Sequence, residues 1–213
     1  MLVRQNYYQE KRIEIKDLII SILDNLDEMT DYYTTYLNNP SDDNREQILE
    51  AENFVDKNER KIEKYISEII SLQQLTINEV KWLLAMNRII RDLERIGDQL
   101  TNIITISDAT DTVDLKPMIR KFFSYEKEMM DWLIKGINED DIQSLDKVIH
   151  HDKYVNKLNK DTYQKLVTLI NEHEKISESK LKTVIISRFL ERIGDHLVNI
   201  AKTYKNIVLK MHK

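Results

Sequence analysis

The sequence contains no cysteine, and only three glycines and two prolines occur among its 213 residues. The absence of cysteine excludes disulfides and thiolate metal sites, and it is consistent with a reducing compartment. Because turns depend on glycine and proline, their scarcity predicts few and long elements of secondary structure. Apolar residues make up 41% of the chain and charged residues 32%. This composition predicts an all-α protein with a folded core.

Other absences bear on the function. The chain has no run of about eighteen apolar residues, which predicts no membrane span. Its N-terminus lacks the apolar segment of a signal peptide, and we therefore expect a cytoplasmic protein. The net charge is −5 and no basic face stands out, so we expect no nucleic-acid partner. No glycine-rich phosphate loop and no nucleophile elbow are present, and the sequence does not predict an enzyme.

The few helix breakers divide the chain into six segments with helical periodicity. Between Ile89 and Ile103, for example, apolar residues recur at steps of three and four, which predicts one apolar stripe. Short connections between long helices are typical of antiparallel bundles. Pro117 is expected in the first turn of the fourth helix. The predicted helices are 4–37, 42–72, 77–107, 115–137, 141–173 and 177–211.

An internal repeat is the strongest organisational feature. The segment 91–103 recurs as 188–200, 97 residues later, with ten of thirteen positions identical. Such a repeat indicates that the two halves of the chain are copies of one structural unit. We therefore predict two tandem three-helix bundles, one formed by residues 1–110 and the other by residues 111–213.

Each half also carries acidic residues four positions apart on two of its helices. Like charges one turn apart destabilise a helix by a few tenths of a kcal/mol, and a bound cation would reverse that effect. The pattern predicts metal ligands, although solvated surface carboxylates would give the same spacing. On a helical wheel the pairs of the third and sixth helices lie away from the apolar stripe, so we expect them to face outward. The candidate ligands are Glu52, Asp56, Glu94, Asp98, Asp152, Glu191 and Asp195, with Asn156 at the remaining acidic position.

Two further sets of residues are assigned structural roles. Gly97 and Gly194 fall in mid-helix beside the apolar stripe, which predicts close helix packing without room for a Cβ. The five histidines form no cluster with ligand spacing, and we expect them at the surface. His196 directly follows Asp195 and so points about 100° away from it on a helix.

The segments 94–98 and 191–195 both read Glu-Arg-Ile-Gly-Asp, and with this block the sequence resembles the PhoU family. Length, six helices, two repeats and paired acidic motifs extend the resemblance over nearly the whole chain. Leu75, Glu79 and Asn156 depart from the family pattern, which indicates a divergent member. The resemblance implies bound iron, zinc or another divalent cation at the paired motifs, and a homodimer.

The resemblance also implies a non-enzymatic regulator of phosphate uptake and of the phosphate-starvation response. Its expected partners are the ATPase of a phosphate ABC transporter and a sensor histidine kinase. Two alternatives remain open from the residues alone. One is a helical adaptor that binds no metal, and the other is a metal-dependent hydrolase.

Overall fold

The computed structural model describes residues 2–72, 74–107, 112–171 and 178–211, and within these ranges it contains no β-strand. All-α architecture is therefore confirmed. None of the helices in these ranges combines the length and the apolar character that crossing a membrane requires. The six helices are α1 (Leu2–Asn38), α2 (Asp42–Leu72), α3 (Ile77–Ile106), α4 (Thr112–Asn138), α5 (Ile142–Asn171) and α6 (Glu178–Met211).

Local sequence explains where two of the helices, α3 and α5, begin. Thr76 is the N-cap of α3, and its hydroxyl accepts a hydrogen bond from the backbone N–H of Glu79. The Glu79 carboxylate in turn accepts one from the backbone N–H of Thr76 at 2.7 Å, which completes a capping box. Before α5, the Asp141 carboxylate accepts hydrogen bonds from the Gln143 backbone N–H and the Ser144 hydroxyl. These side chains satisfy backbone donors that the first turn of a helix leaves unpaired.

Helix α4 differs from its predicted bounds at both ends. It begins at Thr112 rather than at residue 115, so Pro117 lies beyond the first turn, inside the helix. It ends at Asn138, one residue beyond the predicted end, so Gly136 lies in its last turn. A Cβ on Gly136 would lie 2.6 Å from Leu145 Cδ2 and 3.3 Å from the Leu145 backbone nitrogen. Glycine is therefore needed at this position for the close approach of α5.

The helices form the two predicted bundles. Within the first half, α1, α2 and α3 all contact one another, and α4, α5 and α6 do so in the second. Between the halves, α3 packs on α6 and α1 packs on α4, which leaves α2 and α5 on the outside. The predicted domain boundary at 110/111 lies outside the described residues, as do the predicted end of the fifth helix at 173 and the predicted start of the sixth at 177.

The α3–α6 contact is antiparallel and follows the internal repeat. Asp92 near the middle of α3 meets His196 of α6, with its carboxylate oxygen 2.8 Å from Nδ1. At the repeat offset of 97, Asp92 corresponds to Phe189 and His196 corresponds to Gln99. The contact between Asp92 and His196 is therefore not repeated at the equivalent positions, Phe189 and Gln99. Because His196 is half-buried between the bundles, its expected surface position is wrong.

Close packing is the role of Gly194 but not of Gly97. A Cβ on Gly194 would lie 3.0 Å from Val155 Cγ1, whereas one on Gly97 would lie 3.8 Å from Leu26 and Val55. The second value is an ordinary van der Waals contact. The prediction that both glycines exclude a Cβ is thus wrong for Gly97, because the α2–α3 separation leaves room that the sequence could not show.

Glu126 of α4 is completely buried in the core of the second bundle. Neither of its carboxyl oxygens has a hydrogen-bond partner among the described residues. Burial raises the pKa of Glu126 well above its ordinary value, so the side chain is held as the neutral acid. At an offset of 100 the corresponding residue is Leu26, which is a buried core residue of the first bundle.

Alanine should have opposite effects at Gly97 and Gly136. Gly97→Ala should raise the free energy of unfolding by up to about 1 kcal/mol, because alanine is the better helix former and its methyl group fits. Gly136→Ala should lower it by about 1–3 kcal/mol, because Leu145 must move. Urea denaturation followed by circular dichroism measures both changes. Destabilisation by Gly97→Ala would show that α2 and α3 pack more closely than described.

Glu126→Leu should stabilise the protein by about 1–3 kcal/mol at pH 4, where only an unsatisfied neutral acid is removed. The gain should increase towards pH 7. The unfolded state releases the proton above a pKa of about 4.3, whereas the folded state retains it, so wild-type stability falls as pH rises through this range. Urea denaturation at both pH values measures the gain.

The matched control is Glu126→Gln, which keeps an unsatisfied polar group but cannot ionise. Its stability relative to the wild type should increase between pH 4 and pH 7, as that of Glu126→Leu does. At pH 4, however, it should stabilise the protein less than Glu126→Leu. A Glu126→Leu gain that does not change between pH 4 and pH 7 would contradict the neutral-acid assignment.

Candidate functional site

The acidic pairs of the first half meet along the groove between α2 and α3. Glu52 and Asp56 project from α2, and Glu94 and Asp98 project from α3. The position of a Gly97 Cβ would be only 3.9 Å from Glu52 Cγ, which shows that the block on α3 lies against the α2 pair. All four carboxylates are half-buried. The expectation that Glu94 and Asp98 face outward is therefore only partly right, because α2 covers one side of them.

The pKa values of Glu94 and Glu52 are raised first by burial and then by repulsion from neighbouring carboxylates. The pKa of Glu94 is raised to about 7, first by burial and then by the charges of Asp98 and Glu59. The pKa of Glu52 is raised by burial and then by Asp56 and Asp98. Repulsion of this kind across two helices requires that the carboxylates be near neighbours.

Glu59 belongs to this cluster, although the sequence analysis did not include it. It lies three residues after Asp56 on the same face of α2. Its pKa is raised by burial and then by the charges of Glu63 and Asp56. The signal that could have identified it is the spacing of seven residues from Glu52, which returns to the same side of a helix.

The second half brings its acidic residues together between α5 and α6. The pKa of Asp152 is raised by burial and then by the charge of Asp195, with a smaller contribution from Glu191. Asn156 donates a hydrogen bond of 2.7 Å to the Asp152 carboxylate. The other Asp152 oxygen is buried and has no hydrogen-bond partner among the described residues.

The two clusters differ in charge. At an offset of 100, Asp56 corresponds to Asn156, and Glu59 corresponds to Asn159. The first cluster therefore has five carboxylates, whereas the second has three. Arg188 also pairs with Glu191. A cleft of about 590 Å³ opens beside this second cluster, and its lining includes Arg188, Asn156 and Asn159.

The donor set of the first cluster fits a hard divalent cation. Carboxylate oxygens are the preferred ligands of such ions, and a cation would relieve the repulsion that raises the pKa of Glu94. As the side chains lie, however, no three histidine, aspartate or glutamate groups of the described residues are arranged to hold one ion. Asp56 instead lies 3.5 Å from Arg60. Binding of a metal would therefore require rotation of these side chains.

His196 takes no part in either cluster. Its Nδ1 is engaged with Asp92 across the α3–α6 contact. His151 is also largely covered, since its ring lies within 5.4 Å of the ring centres of Tyr125, Trp132 and Tyr154. Burial lowers the pKa of His151, which favours its neutral form.

Comparison with known proteins places the duplicated unit in a family. The profile of the PhoU domain matches residues 19–107 and again residues 119–203. The phosphate-specific transport system accessory protein PhoU homolog 1 of Thermotoga maritima is 24% identical over 160 residues, which are 73% of this chain and 69% of that protein. The PhoU homolog of Aquifex aeolicus is 27% identical and covers 84% of this chain and 82% of its own length.

A solved structure supports the same fold. The crystal structure of PhoU from Pseudomonas aeruginosa superposes with a TM-score of 0.83 at 20% sequence identity, over 95% of this chain and 99% of that chain. The profile matches both halves of the sequence, and the two matched segments contain the two copies of the Glu-Arg-Ile-Gly-Asp block. The chain therefore belongs to the PhoU domain family, of which it is a divergent member.

Proposed function

We propose that this protein is an accessory regulator of a phosphate transport system and that it carries out no catalysis itself. The observation that carries the proposal is the double PhoU domain, with the Glu-Arg-Ile-Gly-Asp block on α3 and again on α6. Relatives that match most of the chain are named phosphate-specific transport system accessory proteins. A non-enzymatic role agrees with those names.

The proposal extends to partners and location. An accessory regulator acts through protein contacts, and the expected partners are the ATPase of a phosphate ABC transporter and a sensor histidine kinase. Such partners present their regulatory surfaces to the cytoplasm, where this protein would act as a homodimer. In this role it would repress the phosphate-starvation response when phosphate is plentiful.

Metal binding is the proposed chemistry of the carboxylate clusters. The five carboxylates of the first cluster and the raised pKa of Glu94 favour a site for iron, zinc or another divalent cation between α2 and α3. The second cluster should bind more weakly, because an amide is a neutral and weaker ligand than a carboxylate and Arg188 competes for Glu191.

A helical adaptor without metal is the second candidate. It is favoured by the arrangement of the side chains, because no three metal-ligating groups among the described residues converge. In that case the clusters would be polar surface without a ligand. The raised carboxylate pKa values would then lower the stability of the folded state at neutral pH.

Metal analysis of paired variants separates these two candidates. Glu94→Ala with Asp98→Ala should remove most of the metal that the wild type retains after loading with iron(II) or zinc. The matched pair in the second half, Glu191→Ala with Asp195→Ala, should remove less. Elemental analysis after desalting gives the amount of metal per chain. Equal metal content in all three proteins would contradict the proposed ligands.

A stability readout accompanies this experiment. Metal that binds only the folded state should raise the melting temperature of the wild type more than that of the Glu94→Ala, Asp98→Ala variant. In the absence of metal the variant should be at least as stable as the wild type, because the substitutions remove repelling charges from half-buried positions.

Deletion of the gene tests the regulatory role. Phosphate-starvation genes should then be expressed at high external phosphate, and phosphate uptake should no longer fall when phosphate is plentiful. The wild-type gene should restore repression. The Glu94→Ala, Asp98→Ala gene shows whether repression depends on the first cluster. Unchanged uptake and unchanged starvation-gene expression after deletion would refute the proposed function.

A further inference from the structure

We propose that a cleft between α3 and α6 is the docking site for an acidic amphipathic helix of a partner protein. The cleft lies where the N-terminal part of α3 passes the C-terminal part of α6, and its volume is about 320 Å³. Trp82, Ala85 and Ile207 contribute an apolar lining. Lys81 and Arg88 of α3 and Lys210 of α6 also line it. We call it the basic cleft.

The charge of the basic cleft is opposite to that of the whole protein. Three cationic side chains and no carboxylate line it, whereas the chain has a net charge of −5. Lys81, Arg88 and Lys210 form no ion pair with any other residue in the described parts of the chain. Uncompensated cations around an apolar lining are complementary to a ligand with acidic and apolar groups.

The shape of the surface favours a helix over a small molecule. Ile77, Lys81, Leu84 and Arg88 recur at steps of four and three, so they form one continuous stripe on α3. Ile77 is 73% exposed and Leu84 is 61% exposed, which is unusual for two large apolar residues on one helix face. The stripe is about 17 Å long at 1.5 Å per residue. A partner helix can cover this length by placing its apolar residues in the groove.

The internal repeat shows that these cations are not required by the fold. At the repeat offset of 97, Lys81 corresponds to Glu178 and Arg88 corresponds to Ile185. The equivalent positions near the N-terminus of α6 therefore lack both cations. Only the exposed leucine is retained, as Leu84 and Leu181. The cations of Lys81 and Arg88 are thus not shared by the two copies of the repeat.

The basic cleft is separate from the carboxylate clusters. Leu84 precedes Glu94 by ten residues, which is about 15 Å along α3. The docking proposal depends neither on metal binding nor on phosphate regulation. The docking proposal can therefore be wrong while the proposed function is right, and the proposed function can be wrong while the docking proposal is right.

Selection of displayed peptides tests the proposal without knowledge of the natural partner. The immobilised full-length protein is presented with a library of displayed 20-residue helical peptides. The selected peptides should be rich in aspartate and glutamate, with apolar residues at i, i+3 or i+4, and i+7. Synthetic copies should protect 77–88 and 203–210 from hydrogen exchange. Selection of no peptide, or protection confined to other helices, would overturn the proposal.

Charge-reversal variants provide the matched comparison. Lys81→Glu with Arg88→Glu should weaken binding of the selected peptides at least tenfold in fluorescence anisotropy. Arg45→Glu with Lys121→Glu makes the same change in net charge at exposed positions outside the cleft, and it should change affinity less than twofold. Circular dichroism verifies that both variants fold. If both double variants weakened peptide binding equally, the effect would come from net charge alone. That result would overturn the assignment of the binding surface to the basic cleft.

Two further measurements distinguish other occupants. Leu84→Ser should also weaken peptide binding, and the residue is exposed enough that its replacement should leave the fold intact. Sedimentation of the unliganded protein reports self-association. Dimerisation abolished by Lys81→Glu with Arg88→Glu would assign the cleft to a second copy of the chain and overturn the proposed partner helix. Displacement of bound peptide by millimolar inorganic phosphate would assign it to a small anion.

Discussion

The antiparallel packing of α3 on α6 is the constraint on which the rest of the structure depends. These two helices carry the duplicated block, and each is the third helix of its own bundle. Each must therefore bury one side against its own bundle and another against the opposite bundle. For α3 the buried set includes Met86, Ile90 and Ile104 in addition to the predicted stripe, so its apolar face is wider than one bundle requires. The parts of α3 and α6 that are left for function are the edge of the apolar face and the ends of each helix.

The carboxylate clusters lie at the edges of the apolar faces of α3 and α6. Because α2 and α5 lie on the outside of the molecule, the acidic residues of α3 and α6 meet those of α2 and α5 in grooves near the surface. A buried carboxylate without a partner is strongly disfavoured, and a fully exposed one is hydrated. The half-buried positions of Glu94 and Glu52 lie between these limits, so their charges interact and their pKa values rise.

The two halves keep the same fold, but several equivalent positions carry side chains of different chemistry. Asn156 and Asn159 reduce the charge of the second cluster, and Glu126 introduces a neutral acid where the first half has Leu26. Asp92 and His196 form a hydrogen-bonded contact that the repeat does not reproduce. Asp56 and Asn156 are similar in size, as are Leu26 and Glu126, and helix pairs accommodate such changes more easily than a change of volume.

The sequence by itself determined the number of helices, most of their ends and the two bundles, because periodicity, caps and breakers act over a few residues. It also indicated which carboxylates share one face of a helix, since spacing determines the side of a helix on which a residue lies. Only the tertiary structure decided that Gly97 has room for a methyl group and that His196 is held by Asp92. These outcomes depend on the distance and rotation between helices that are far apart in the chain, and no local pattern encodes either quantity.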